Sequence, residues 1–269
     1  MNGKTFLLLQ LFFCLVFLAS TSDLSAGTFQ DIKSRGKLIA GVKTDFPPFG
    51  FLDKEGVHRG FDIDLVKALA RELLGTEEKV EFVAVTTGNR MDFLTSGRVD
   101  LIAATLSITT ERMKEIDFST PYFMTGQMIL VRRDSPIAKY RDLAGKKIAT
   151  IQGSIGDSAI REVVSHVERV RFEDNFKALQ ALRERRVEAF VQDYVLLLNL
   201  LQKDSGLRIA DLKPFRLTPY SLGVRKGDRE WLTFVNSALA MIAQSGESER
   251  LLDKWFGEEA KVLLKSLQK

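Results

Sequence analysis

Cysteine is all but absent from this 269-residue chain, Cys14 being the only one. A single thiol forms no intramolecular disulfide, so the fold has to be held by core burial. Histidine is almost as scarce: His58 and His166 lie far apart in sequence, and no cysteine, histidine and acidic residues fall at metal-ligand spacing. Charge of one sign is not concentrated anywhere. The 39 lysines and arginines are interspersed with 35 acids, the net charge is +4, and no basic stripe marks a nucleic-acid surface. What remains is ordinary for a soluble globular protein, with 45% hydrophobic and 28% charged residues. No cofactor motif stands out, and there is no low-complexity tract or internal repeat.

Long apolar runs are also lacking, except at the N-terminus. Met1-Asn2-Gly3-Lys4 is a short positive start, Phe6 to Leu18 is apolar but for Gln10, and small and polar residues end at Leu24-Ser25-Ala26. Residues 1–26 read as a signal peptide rather than an anchor, because the run falls short of the roughly 20 residues a membrane span needs. Cleavage is expected after Ala26. Leu24 is an imperfect −3 residue, which keeps a site after Ser20 open. Cys14 lacks the preceding small residue of a lipoprotein site and leaves with the leader.

Four stretches share one design, an apolar strand pattern that stops on polar residues. Leu38 to Val42 runs into Lys43, Leu101 to Ala104 into Thr105-Leu106-Ser107, Lys147 to Ile151 into Gln152-Gly153-Ser154, and Val187 to Val191 into Gln192-Asp193. Helix-like patterns follow each of them. In open α/β sheets, ligands bind outside the carboxyl ends of the strands, so these polar residues are candidate contacts. They carry both signs, with Lys43 and Arg112 against Asp193, which suits a zwitterion better than a simple anion.

The pass along the chain predicts further elements. Leu65, Leu69 and Leu73 make one apolar helix face from about Gly60 to Leu74, with Asp62 and Asp64 at its positive end. Strands are expected at Val80 to Val85, Gln127 to Arg132, Glu168 to Phe172 and Ser221 to Arg225. Helices are expected at Asn89 to Ser96, Ile155 to Val164, Asn175 to Arg185 and from Asp228 to Gly257 with a break at Ser245-Gly246. This alternation argues for parallel sheets with right-handed crossovers, in two units.

Gly60-Phe61-Asp62-Ile63-Asp64-Leu65-Val66-Lys67-Ala68-Leu69-Ala70 resembles the signature of family 3 solute-binding proteins, the polar-amino-acid receptors of ABC importers. Ser107 to Arg112, Ile116-Asp117-Phe118-Ser119 with Pro121-Tyr122, Val187 to Phe190 with Asp193, and Lys254-Trp255-Phe256-Gly257 match in order. The resemblance implies an α/β two-lobe periplasmic binding protein fold of type II, each lobe a mainly parallel sheet flanked by helices, joined by two crossing strands near Tyr122–Gln127 and Tyr220–Val224. Residues 27–124 plus 223–269 would form lobe one and 125–222 lobe two. It further implies a periplasmic monomer that binds an amino acid in the cleft by hinge closure, partners a membrane permease, is not an enzyme and needs no cofactor.

The same resemblance assigns roles residue by residue. Arg112 would fork onto the ligand α-carboxylate and Asp193 would accept from its α-ammonium; the plain readings are a surface arginine paired with Glu111 or Glu115, and a helix N-cap. Thr105 and Ser107 would hold the ligand through hydroxyls or amides. Ser154 and Ile155 belong to a loop whose backbone amides form an anion site; many relatives have threonine where Ile155 stands, so a hydroxyl contact is missing. Phe46 serves equally as an aromatic along the ligand or as a core residue. Lys43 and Arg90 resemble positions of members that look specific for glutamate or aspartate. As two extra cations they call for a second carboxylate, unless they are solvated or pair with acids such as Asp45 and Asp92. An acidic amino acid is therefore the expected ligand, with glutamine as the alternative and a prephenate- or arogenate-type dehydratase as a more distant one.

Overall fold

A computed structural model describes residues 28–210 and 213–267, so the expected leader lies outside the described residues. The chain begins with α1 (Thr28–Arg35) and β1 (Leu38–Val42), followed by a small sheet of β2 (Asp45–Phe46), β3 (Gly50–Leu52) and β4 (His58–Arg59). Then come α2 (Phe61–Leu74), β5 (Val80–Ala84), α3 (Arg90–Thr95), β6 (Leu101–Ala103), α4 (Arg112–Glu115) and β7 (Ile116–Phe118). β8 (Phe123–Arg132) enters a second sheet, continued by β9 (Lys147–Ile151), α5 (Ile155–Val163), β10 (Glu168–Phe172), α6 (Asn175–Arg183), β11 (Ala189–Asp193), α7 (Tyr194–Lys203), β12 (Leu207–Ile209) and β13 (Phe215–Tyr220). β14 (Gly223–Arg225) returns to the first sheet, and α8 (Arg229–Gln244) and α9 (Glu247–Leu267), bent at Gly257, end the described chain.

The first sheet has the order β5-β1-β6-β14-β7 and the second β10-β9-β11-β8-β12, with β13 also paired to β8. In each, three neighbouring strands are parallel, as the helix-linked pattern predicts. The strands through which the chain passes between sheets run the other way: β8 is antiparallel to β11 and β14 to β6. They arrive without a helical crossover, so nothing forces them parallel. β8 starts at Phe123, four residues before the predicted Gln127, because its first residues pair with β13.

Local chemistry explains the entry to α2. Gly60 has φ +131, and a Cβ there would lie 2.0 Å from the Phe49 carbonyl oxygen. Leu65 and Leu69 are buried as their spacing predicts. Both ends of the described chain belong to the first unit: Asp228 caps α8 by accepting from the Trp231 amide (3.2 Å) and also accepts from the Thr28 amide (3.1 Å). Asp64 accepts from the Trp255 indole at 2.7 Å. Between the units, Phe49 packs edge-on against Phe123 and Tyr220 of the two crossing strands and against Phe256 (centroids 4.9, 5.3 and 5.1 Å).

Candidate functional site

Register brings the polar strand ends together. Val42 pairs with Ala103, so Lys43 and Ala104-Thr105 emerge side by side. Seven of the nine predicted residues line one crevice between the two sheets, namely Phe46, Arg90, Thr105, Ser107, Ser154, Ile155 and Asp193, joined by Thr87 and Gln192. Lys43 and Arg112 flank it through hydrogen bonds to its walls.

Arg112 makes no ion pair with Glu111 or Glu115. Its Nη1 donates to the Ser107 carbonyl (2.6 Å) and its Nη2 to the Gly153 carbonyl in the opposite unit (2.8 Å). Asp193 precedes α7, but its side chain makes no capping bond. It is 8% exposed and accepts from Gln127 Nε2 at 2.7 Å, the residue opposite it in the β11–β8 ladder. Burial raises its carboxyl to about 6, opposed by the neighbouring Tyr220, Thr125 and Gln127. Of these three, only Gln127 makes a hydrogen bond of good geometry; the Tyr220 and Thr125 hydroxyls are buried without a partner.

Ser154 spends its hydroxyl on capping α5, accepting from the Asp157 amide at 3.1 Å. Ser107 Oγ pairs with Thr218 Oγ1 at 3.2 Å. Thr105 adopts φ +49, and its amide donates to Asp62 Oδ2 at 3.1 Å. Phe46 is 2% exposed and packs edge-on to Phe49 at 6.1 Å while lining the crevice, so it is core and wall at once.

The two extra cations differ from each other. Arg90 is 3% exposed, and its Nη1 donates to the carbonyls of Ala104 and Thr105, while its Nε is buried without a partner. Burial and the nearby Arg112 lower it to about 9. Lys43 is 1% exposed; its Nζ donates to Thr87 Oγ1 (2.9 Å) and lies 3.4 Å from Asp45 Oδ1. Burial lowers its pKa and Asp45 opposes the shift. Of the two pairings with local acids weighed for Lys43 and Arg90, Lys43 with Asp45 is the one the structure makes, so its charge is offset.

Asp62 stands in the first turn of α2, as expected, and has a further role. It is fully buried beneath the crevice, accepting from the Tyr122 hydroxyl (2.8 Å) and the Thr105 amide. Burial raises its carboxyl to about 6. Sequence reasoning missed Thr87 and Gln127 as site residues. Gln192, one of the strand-end candidates, lines the crevice beside Asp193. Among the described residues no helix is long and apolar enough to cross a membrane, and no group of His, Cys, Asp and Glu is placed to hold a metal.

Comparison with known proteins places this architecture. The model for bacterial extracellular solute-binding proteins, family 3, matches residues 38–258. A glutamine-binding protein of Geobacillus stearothermophilus is 40% identical over 217 residues, covering 79% of this chain and 82% of that one. The ABC transporter glutamine-binding protein GlnH of Bacillus subtilis is 34% identical over 234 residues (86% and 85%), and the glutamate-binding protein GluB of Corynebacterium glutamicum 28% over 260 residues (92% and 88%). Among solved structures, the P235GK mutant of ArgBP from T. maritima superposes with a TM-score of 0.81 at 36% identity, covering 86% of this chain and all of that one. The fold is the type II periplasmic binding protein fold. The chain belongs to family 3 of the bacterial extracellular solute-binding proteins.

Proposed function

We propose that this chain is the extracytoplasmic receptor of an amino-acid ABC importer, that it closes on one polar amino acid in the crevice, and that it hands the ligand to a membrane permease. The observation that carries this reading is the placement of Arg112, at the start of α4 in the first unit, and of Asp193, at the end of β11 in the second, beside one crevice, with neither in an ion pair among the described residues. A guanidinium fork suits an α-carboxylate and a buried carboxylate suits an α-ammonium. The relatives support the reading by bearing the names of binding proteins rather than enzymes.

Charge balance directs the choice of side chain. Lys43, Arg90 and Arg112 around the crevice are matched by Asp45, Asp62 and Asp193. A ligand of net charge zero leaves that balance intact, whereas an uncompensated buried charge is costly. This supports glutamine, as do the names of two relatives. The second reading is glutamate or aspartate. It is favoured by Arg90, which has carbonyl partners but no carboxylate and a free Nε.

A thermal-shift screen of ligand-free protein against the common amino acids tests the proposal, because a ligand specific to the folded state raises the midpoint. Glutamine giving the largest shift supports it. Glutamate or aspartate giving the largest shift supports the second reading. No shift with any amino acid refutes both and directs attention to prephenate-like acids.

A further inference from the structure

Asp45 and Asn175 lie outside the residues that the strand-end pattern singles out, yet they join the two units through a continuous polar relay. Asp45, in β2 of the first unit, has Oδ2 accepting from the Asn175 amide (3.0 Å) and from Asn175 Nδ2 (2.8 Å). Its other oxygen, Oδ1, is the one 3.4 Å from Lys43 Nζ. Asn175 opens α6 in the second unit, and its Oδ1 accepts from Gln192 Nε2 at 2.7 Å. Gln192 Oε1 in turn accepts from the Asp193 amide at 2.9 Å. At the far end, Lys43 donates to Thr87 Oγ1. The relay therefore runs Thr87–Lys43–Asp45–Asn175–Gln192–Asp193, and it touches the crevice at Thr87 on one side and at Gln192 and Asp193 on the other.

We propose that Asp45 does two separable jobs: it neutralises Lys43, so that the side-chain end of the crevice accepts an uncharged amide, and it latches the two units together through Asn175. The inference rests on the reading of the chain as an amino-acid receptor. Lys43 is buried behind Thr87, so its charge reaches the crevice through a poorly polarisable interior, where screening is weak. Asp45 is its close carboxylate. Removing that carboxylate exposes the field of Lys43 to whatever lies beyond Thr87. Truncating Asn175 leaves the Lys43–Asp45 pair and the Asn175 amide bond in place, and removes the side-chain bonds that Asn175 makes to Asp45 across the units and to Gln192.

The two variants should thus behave differently. Asp45→Asn keeps shape and an oxygen for Asn175 but loses the charge. It should raise the affinity for glutamate relative to glutamine by about tenfold or more. Asn175→Ala should leave that ratio within about twofold while speeding dissociation of either ligand about tenfold, because interface losses fall mostly on the off-rate. Lys43→Met is the second arm should Asp45→Asn fail to fold; it strands Asp45 and should move the ratio the other way.

Titration calorimetry and stopped-flow release with glutamine and glutamate read all of these. An unchanged ratio in Asp45→Asn, or in Lys43→Met, overturns the charge role. Unchanged dissociation in Asn175→Ala overturns the latch. A wild type that binds neither amino acid overturns the receptor reading and this inference together, whereas wild-type binding with unresponsive variants overturns only the latter.

Discussion

The Arg112 guanidinium reaches across the crevice to the Gly153 carbonyl of the opposite unit at 2.8 Å while also holding Ser107 of its own. One side chain thereby fixes the spacing of two loops that both line the site. It sits at the start of a short helix, where a cation gains nothing from the helix dipole, so its position is not one that helix stability alone would select.

Replacing it should separate binding from folding. Arg112→Ala is expected to weaken ligand affinity by about 100-fold or more, the cost of leaving the ligand carboxylate in the crevice without its cationic partner. Arg112→Lys should recover little, since an ammonium cannot reproduce the planar fork. Titration calorimetry reads the affinity, and circular dichroism checks that both variants fold.

Acidity should act in opposite directions on the free and the liganded protein. Burial raises the Asp62 and Asp193 carboxyls in the folded state to about 6, above the ordinary 3.8. Between those values the folded state binds more protons than the unfolded chain, so the ligand-free protein should gain stability as pH falls from 7 through 6 toward 4. The surface acids Asp53, half-buried, and Asp134 and Asp142, exposed, have folded pKa values lowered below 3.8 by their hydrogen bonds, so what they contribute is lost only in stronger acid. Ligand affinity should fall through the same window around 6, because protonated Asp193 no longer attracts an ammonium. Urea midpoints and calorimetry across pH 4–8 measure both slopes; parallel slopes would contradict the assignment of Asp193.

Asp62 should behave as a positioning residue. Asp62→Ala leaves the Thr105 amide and the Tyr122 hydroxyl without their acceptor, at a cost of about 2–4 kcal/mol in unfolding free energy. It also frees Thr105 from its φ of +49, so affinity should drop although Asp62 itself does not line the crevice. Urea denaturation and calorimetry on the same sample test the pair of effects.

Among the described glycines, Gly60 is the one where an added Cβ would meet backbone most closely. With φ +131 and the Phe49 carbonyl 2.0 Å from an added Cβ, Gly60→Ala should lose about 2–4 kcal/mol and shift the start of α2. A variant as stable as the parent in urea would show that this turn relaxes freely.

Much of this could be seen in the sequence because strand ends carry their own chemistry. The alternation of apolar strands and amphipathic helices gave the parallel core of each sheet, and the polar residue after each strand marked where Thr105, Ser154 and Asp193 would gather. What escaped was long-range pairing. Nothing local to Asp62 separates a buried acceptor beneath Thr105 from an ordinary helix-start acid, because its partners lie 43 and 60 positions away. Lys43 was read as an available cation because Asp45 two residues on could equally face solvent; only the fold, which ties Asp45 to Asn175 130 positions away, holds it against Lys43. β13 was missed because its pairing with β8 exists only once the chain has crossed back.

The central claim is that one polar amino acid is held between Arg112 and Asp193. Titration calorimetry of the ligand-free protein with glutamine, with glutamate and with arginine tests it most directly. The account predicts one site per chain, glutamine bound tightest, arginine weakest, and binding abolished in Asp193→Ala. Arginine binding tightest, or glutamine binding that survives Asp193→Ala undiminished, would contradict it.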